Sequence, residues 1–183
     1  MIAVKVIHHA LPPEVLARVQ ARARESLYGT REYGGLTFPG MSVVESTLVP
    51  EIGALLGMCR PPVLCYFRVG NTEDEHTSFI HTDVGVGSLA TILYLDSSDA
   101  DGTAFWIHRR TWKDSTVGET PEERTQHQHD QLSAEAWIRY ETVTMRENRL
   151  VVFPTVLFHS RFPFHPTFAN RRVFVSFFDE GAV

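Results

Sequence analysis

Five short runs dominate the second two thirds of the chain: "VLCYFRV", "LATILYL", "TAFWIHR", "RLVVFP" and "RRVFVSFF". Each is rich in β-branched and aromatic residues, and glycine, proline or polar breaks separate them. Runs of this kind pack well on a pleated surface and are too short to be buried helices. Their regular succession from residue 63 predicts an all-β sandwich or barrel. What comes before is different. Pro12 and Pro13 followed by "EVLARVQARARESL" predict a helix with proline in its first turn, with Val15, Leu16, Val19, Ala23 and Leu27 at helical spacing. "GTREYGGLTFPG", residues 29–40, reads as a glycine-rich loop. In the β half, residues 111–131 read as a long polar loop, and "QLSAEAWIRYETV" as a short helix. No repeat or linker divides the chain, so one domain of 183 residues is expected, with a helical flank over about 1–62 and a β core over about 63–183.

Charge and composition narrow the function classes. Seventeen Lys and Arg against 22 Asp and Glu leave a formal net charge of −5. No global attraction to nucleic acid follows from that balance. No apolar run reaches the roughly 20 residues needed to span a bilayer, and the N-terminus shows no cleavage signal, so a cytoplasmic protein with no membrane partner is expected. Cys59 and Cys65 are expected to be free thiols, because C-x5-C suits neither a disulfide in a reducing compartment nor zinc.

One short stretch carries possible chemistry. In "FIHTDVGVGS", His81 and Asp83 stand at i and i+2, so an extended backbone turns both side chains the same way. A third ligand must come from elsewhere. His159, 78 residues later, follows the apolar run "RLVVFP" in "TVLFHS". Two histidines and one carboxylate on one face of an octahedron make the facial triad of non-haem Fe(II) oxygenases, which leaves three positions open. Against this stands the chance frequency of H-x-D in a chain with nine histidines. A dicarboxylate co-substrate would further require an arginine, whose planar fork matches a carboxylate. Arg171 and Arg172 lie twelve and thirteen residues after His159. A rival cluster, "HQHD" at 127–130, sits in a polar stretch with no apolar frame to hold it. His8, His9 and His165 have no partner pattern.

In order, "IHTD", "TILYLD", "GTAFWIHR", "NRLVVFPTVLFHS" and "NRRVFVSFFD" resemble the iron(II)/2-oxoglutarate-dependent dioxygenases, closest to the prolyl-hydroxylase-like branch and small uncharacterised bacterial relatives. The resemblance spans roughly residues 63–179. It implies a double-stranded β-helix, a jelly-roll barrel with the metal at its open end. It also implies Fe(II), 2-oxoglutarate and O2, with hydroxylation of an unactivated C–H bond and release of succinate and CO2. By this resemblance His81, Asp83 and His159 match the metal ligands. Arg172 matches the basic residue for the far carboxylate of 2-oxoglutarate, and a one-residue slip would put Arg171 there instead. Tyr94 matches a tyrosine on the same carboxylate, or is an ordinary sheet aromatic. Arg68 stands where that branch carries tyrosine, and is expected to serve the pocket. Asp83 argues against a halogenase, where a small residue replaces the carboxylate.

The expected partner is a small molecule, amino acid or peptide. Arg68, Arg109 and Arg110 hint at an anionic one, with nucleic acid disfavoured by the charge. Two other classes compete: a cupin-like metal protein that is not an oxygenase, and a metal-free ligand-binding barrel. The sequence leaves the oligomeric state open.

Overall fold

The structure is a computed structural model that describes residues 4–33, 36–72 and 78–179. In chain order the elements are β1 (Lys5–Ile7), α1 (Pro13–Glu25), β2 (Gly29–Tyr33), β3 (Leu36–Val43), α2 (Pro50–Leu56), β4 (Leu64–Gly70), β5 (Leu89–Tyr94), β6 (Gly102–His108), α3 (Pro121–Asp130), β7 (Trp137–Thr144), β8 (Leu150–Pro154), β9 (His159–Phe162) and β10 (Arg171–Phe178). Two antiparallel sheets form. The larger has the order β1-β8-β5-β10-β4-β3-β2, the smaller β7-β6-β9. This is a mainly β, jelly-roll-like arrangement, as the run of short apolar segments predicted.

The larger sheet is buried on both faces, which explains why its strands read as continuous apolar runs. On one face α1 and α2 cover it: Leu16, Val19 and Ile52 pack with Phe67, Leu93, Phe174 and Phe178. On the other face the smaller sheet closes over it: Phe105 and Val143 pack with Tyr94, Val151, Phe153, Val173 and Phe177. A third cluster, Ile80, Ala104, Trp106, Trp137 and Phe158, lies on the outside of the smaller sheet. Both faces of β6 are therefore core. Gly102, at its start, approaches β7 so closely that a Cβ there would lie 2.2 Å from the Val143 carbonyl oxygen.

Several expectations are corrected. The expected loop over 29–40 is strand where it is described: residues 29–33 are β2 and 36–40 begin β3, two strands that extend the larger sheet next to β4, while residues 34–35 lie outside the described residues. The period-two content was masked by Gly29, Gly34, Gly35 and Gly40, which weaken strand propensity. The stretch 111–131 contains α3, and the sequence held its signal. Thr120 Oγ1 accepts from the Glu123 N–H at 3.2 Å, Glu123 Oε2 accepts from the Thr120 N–H at 2.9 Å, and Pro121 stands in the first turn. That is a capping box. "QLSAEAWIRYETV" is not a helix beyond one 3-10 turn at Ala134–Ala136; Trp137–Thr144 is β7. The N-terminal helix is present, but it ends at Glu25 and leaves Leu27 exposed. Cys59 and Cys65 are free thiols, the first exposed and the second buried.

Candidate metal centre

The segment carrying His81 and Asp83 runs beside β9 at the open edge of the smaller sheet. His81 and His159 form an antiparallel backbone bridge. It brings together two residues far apart in sequence. The His81 Nε2 lies 3.7 Å from Asp83 Oδ1, and the His159 Nε2 lies 3.2 Å from Asp83 Oδ2. One donor atom from each residue can be chosen so that all three lie within 4.8 Å of one another. Among the described residues, this is the one such group.

The other ring nitrogens are already engaged. His81 Nδ1 donates to the Phe79 carbonyl at 2.9 Å, and His159 Nδ1 to the Leu157 carbonyl at 3.0 Å. A proton held at Nδ1 leaves the Nε2 lone pair facing Asp83, and a carbonyl on the far nitrogen is how proteins aim a metal-binding imidazole. Burial pulls the His81 pKa down to about 4, helped by the charge of His159 and Arg68 against the pull of Asp83 and the Phe79 carbonyl. Burial would raise Asp83, but His159, His81 and Arg68 outweigh it and hold the carboxyl below its ordinary value. Burial would lower His159, but Asp83 and the Leu157 carbonyl outweigh it and hold the imidazole up. The donor set thus supplies two imidazole nitrogens and an ionised carboxylate, the types that suit iron among other transition metals.

Behind the trio, a narrow cavity enters the space between the sheets. Tyr66, Arg68, Ser78, Ile92, Thr103, Arg161, Arg171 and Val173 line it together with His81, Asp83 and His159. Arg171 is buried, with its Nη2 donating to the Gly102 carbonyl at 3.2 Å. Its Nε is buried without a hydrogen-bond partner and lies 3.8 Å from Asp101 Oδ1. Asp101 in turn accepts from Ser98 Oγ at 2.8 Å and from the Thr167 N–H and hydroxyl. The guanidinium is therefore only partly neutralised, and it faces the cavity that opens on the trio.

The preference for Arg172 is corrected: Arg171 lines the cavity and Arg172 does not. Val173 pairs with both Arg68 and Tyr94 in the unbroken register of β10, so Arg171, Val173, Val175 and Phe177 face inward. Arg172 lies on the helix side, where its N–H donates to Asp96 Oδ2 at 2.8 Å and its Nη1 to the Asn170 carbonyl at 3.1 Å. Sequence could not set the parity because both faces of β10 are apolar.

Of the two readings of Tyr94, its position fits the ordinary sheet aromatic. It is fully buried behind the cavity, its Oη 2.8 Å from Thr103 Oγ1 and 3.0 Å from the Val143 carbonyl. Thr103, not Tyr94, presents its side chain to the cavity. Arg68 lines the cavity as expected. Thr103 and Arg161 were missed; period two puts Thr103 on the inward face of β6 with Phe105, and Arg161 on the face of His159 along "HSRF".

The "HQHD" stretch lies on α3 and its expected lack of a frame is wrong. His127 is buried against Trp137 and Phe158. Both of its nitrogens are taken, Nδ1 by Glu119 Oε1 at 2.5 Å and Nε2 by Thr111 Oγ1 at 2.8 Å. His108 Nδ1 reaches the same threonine oxygen at 3.1 Å, and its Nε2 reaches Asp130 Oδ2 at 3.0 Å. This chain of bonds fastens α3 to the end of β6. It does not converge on a point where an ion could sit.

A second, larger cavity opens on the other side of His81. Its volume is about 490 Å³, and Phe79, Ile80, Thr82, Glu119, Arg124, Gln128, Gln131 and Phe158 are among its walls. Arg109 and Arg110 do not reach either cavity: Arg109 Nε donates to the Glu135 carbonyl and Arg110 Nη1 to Gln126 Oε1. No helix among the described residues is long and apolar enough to cross a membrane.

Residues 77–162, under half of the chain, match the model of a family of unknown function, DUF6445. No curated protein matches the sequence. The fold is similar to that of several solved structures. The α-ketoglutarate-dependent epimerase SnoN from nogalamycin biosynthesis is 15% identical, with 96% of this chain and 76% of that one covered at a TM-score of 0.60. HygX from Streptomyces hygroscopicus, solved with nickel and 2-oxoglutarate bound, is 9% identical, with 96% and 81% covered at 0.60. The α-ketoglutarate-dependent carbocyclase SnoK is 14% identical, with 96% and 78% covered at 0.60. At such identities the likeness is one of fold.

Proposed function

We propose that this chain is an iron(II)- and 2-oxoglutarate-dependent oxygenase whose two sheets form the double-stranded β-helix of that superfamily. It acts on an unactivated C–H bond, with hydroxylation as the outcome we assign. One observation carries the reading: His81, Asp83 and His159 converge at the mouth of a cavity into which the partly neutralised guanidinium of Arg171 is turned. The solved neighbours that hold iron or nickel with 2-oxoglutarate support it.

The residues fit the group. His81 Nε2, Asp83 and His159 Nε2 would hold the iron, each imidazole aimed by its Nδ1–H bond to a backbone carbonyl. Arg171, which lines the cavity, would take the far carboxylate of 2-oxoglutarate through its guanidinium. Arg68, on the same face of β4 as Tyr66, would add positive charge beside a doubly anionic co-substrate. Iron(II) with 2-oxoglutarate supplies the oxidising chemistry, consuming O2, releasing succinate and CO2, and leaving one oxygen atom on the substrate carbon. Phe105 and Phe153, packed around His159 with ring centroids 6.4 and 4.7 Å away, exclude water from the inner side of the site. The protein's part is to bind, orient and shield.

The test is anaerobic. Protein given Fe(II) and 2-oxoglutarate should develop the weak visible metal-to-ligand charge-transfer band of a chelated keto acid. A band that fails to form with the wild type, or that persists unchanged in His81→Ala, overturns the iron reading. Because an epimerase and a carbocyclase are among the structural neighbours, product analysis after a succinate-release screen decides between hydroxylation and another oxidative outcome.

A further inference from the structure

His81 separates two cavities. The inner one leads to Arg171. The outer one is bounded by α3 and by Gln131, the residue that follows it. At about 490 Å³ it lies within the usual range of small-molecule sites. Its chemistry is selective in three ways.

First, it holds no uncompensated protein charge. The buried Glu119 carboxylate is shared between His127 Nδ1 at 2.5 Å and Arg124 Nε at 3.2 Å. Burial lowers the pKa of His127 more than its acidic neighbours raise it, so that ring adds no fixed positive charge. The Glu119 carboxylate is thus already matched by two partners, and the rest of the Arg124 guanidinium is solvent-exposed, where a charge pair gains little. Second, the wall offers amides and hydroxyls. Gln128 and Gln131, three apart and hence on one side of the helix end, make no side-chain hydrogen bond among the described residues; the same holds for Thr82. Each carboxamide carries both a donor and an acceptor, and so can grip two neighbouring hydroxyl groups at once. Phe79, Ile80 and Phe158 add apolar atoms to the same wall, Ile80 directly beside Gln131. Third, among the described residues the backbone N–H groups of Ile80 and His81 at the cleft are already paired and not free for an extended peptide. The Ile80 N–H donates to the Gln131 carbonyl at 2.9 Å, and the His81 N–H to the His159 carbonyl at 3.0 Å. Peptide capture by strand addition needs such groups unpaired.

We propose that this outer cleft receives the organic substrate, an uncharged polyhydroxylated ring such as a sugar or glycoside, held by Gln128 and Gln131 beside His81. The assignment rests on the oxygenase reading above for its chemistry, though not for its binding. It also replaces the anionic substrate that Arg68, Arg109 and Arg110 suggested, since Arg109 and Arg110 are engaged elsewhere and Arg68 lines the inner cavity, not this cleft.

The experiment is saturation-transfer difference NMR on the metal-free full chain. Probes are the neutral methyl glycosides of glucose, galactose and mannose, each beside its uronic acid and amino-sugar counterpart. At least one neutral glycoside should receive saturation, with the charged counterpart weaker. Gln128→Leu/Gln131→Leu, which changes only exposed or half-exposed side chains, should weaken that binding about tenfold or more while leaving the circular dichroism spectrum unchanged. Saturation of no neutral glycoside, preference for a charged counterpart, or full retention in the double variant each overturns the proposal. The charge-transfer band is measured separately. A band without glycoside binding defeats this inference alone, and glycoside binding without a band defeats the oxygenase reading while the cleft assignment stands.

Discussion

The backbones of His81 and His159 are joined in both directions, N–H to carbonyl at 3.0 Å one way and 2.9 Å the other. Their rings consequently sit with centroids 4.5 Å apart, and Asp83 bridges their Nε2 atoms. A pair of ordinary sheet hydrogen bonds is what brings the distant His159 to His81 and Asp83 and completes the candidate ligand set.

Removal of either imidazole should abolish tight metal binding. His81→Ala and His159→Ala are each expected to weaken Co(II) or Fe(II) affinity by more than about 100-fold, beyond what loss of a supporting contact costs. Isothermal titration with Co(II) measures it. An affinity within a few-fold of wild type in either variant would remove that residue from the site.

Metal affinity should depend on pH through His159 first. Its pKa is raised by Asp83, so a proton held between the two competes with a cation as pH falls through that raised value. His81 is held down to about 4 and contributes no proton until then, while Asp83 stays ionised. The sign follows: affinity is lost as pH falls, with a slope of one proton per metal down to about 4, and a second proton only below that. A two-proton slope already at pH 6 would contradict the unequal titration of the two histidines.

Arg171→Ala should raise the 2-oxoglutarate concentration needed for the visible band by roughly 10- to 100-fold, the worth of a charge-assisted bond to a buried carboxylate. Arg172→Ala should change it less than about threefold, because that side chain lies on the helix side of β10. The reverse ranking would mean that the inward face of β10 is not the co-substrate's.

Thr120→Ala removes the capping-box hydroxyl of α3. It should destabilise the protein by about 1 kcal/mol, lowering Tm by roughly 2–4 °C for a chain of this size. Differential scanning calorimetry measures it. An unchanged Tm would show that α3 is held by the His127–Glu119 and His108–Asp130 contacts alone.

Sequence alone determined the mainly β character, because strand runs buried on both faces must be apolar throughout, and that composition is visible without coordinates. It also determined the pairing of His81 with Asp83, since alternation along an extended backbone is a local property. Only tertiary structure decided which arginine faces the cavity. Val173, Val175 and Phe177 on one side of β10 and Phe174 and Phe178 on the other are equally apolar, so nothing local marks the inward parity; the pairing of Val173 with Arg68 and Tyr94 does. Tertiary structure likewise turned the polar stretch at 120–131 into a wall. His127 and Glu119 look like surface residues in the sequence, but their mutual bond and the packing of Trp137 and Phe158 allow both to be buried beside the cleft. A buried polar group needs its partner, and partners distant in sequence become visible only once the chain has folded.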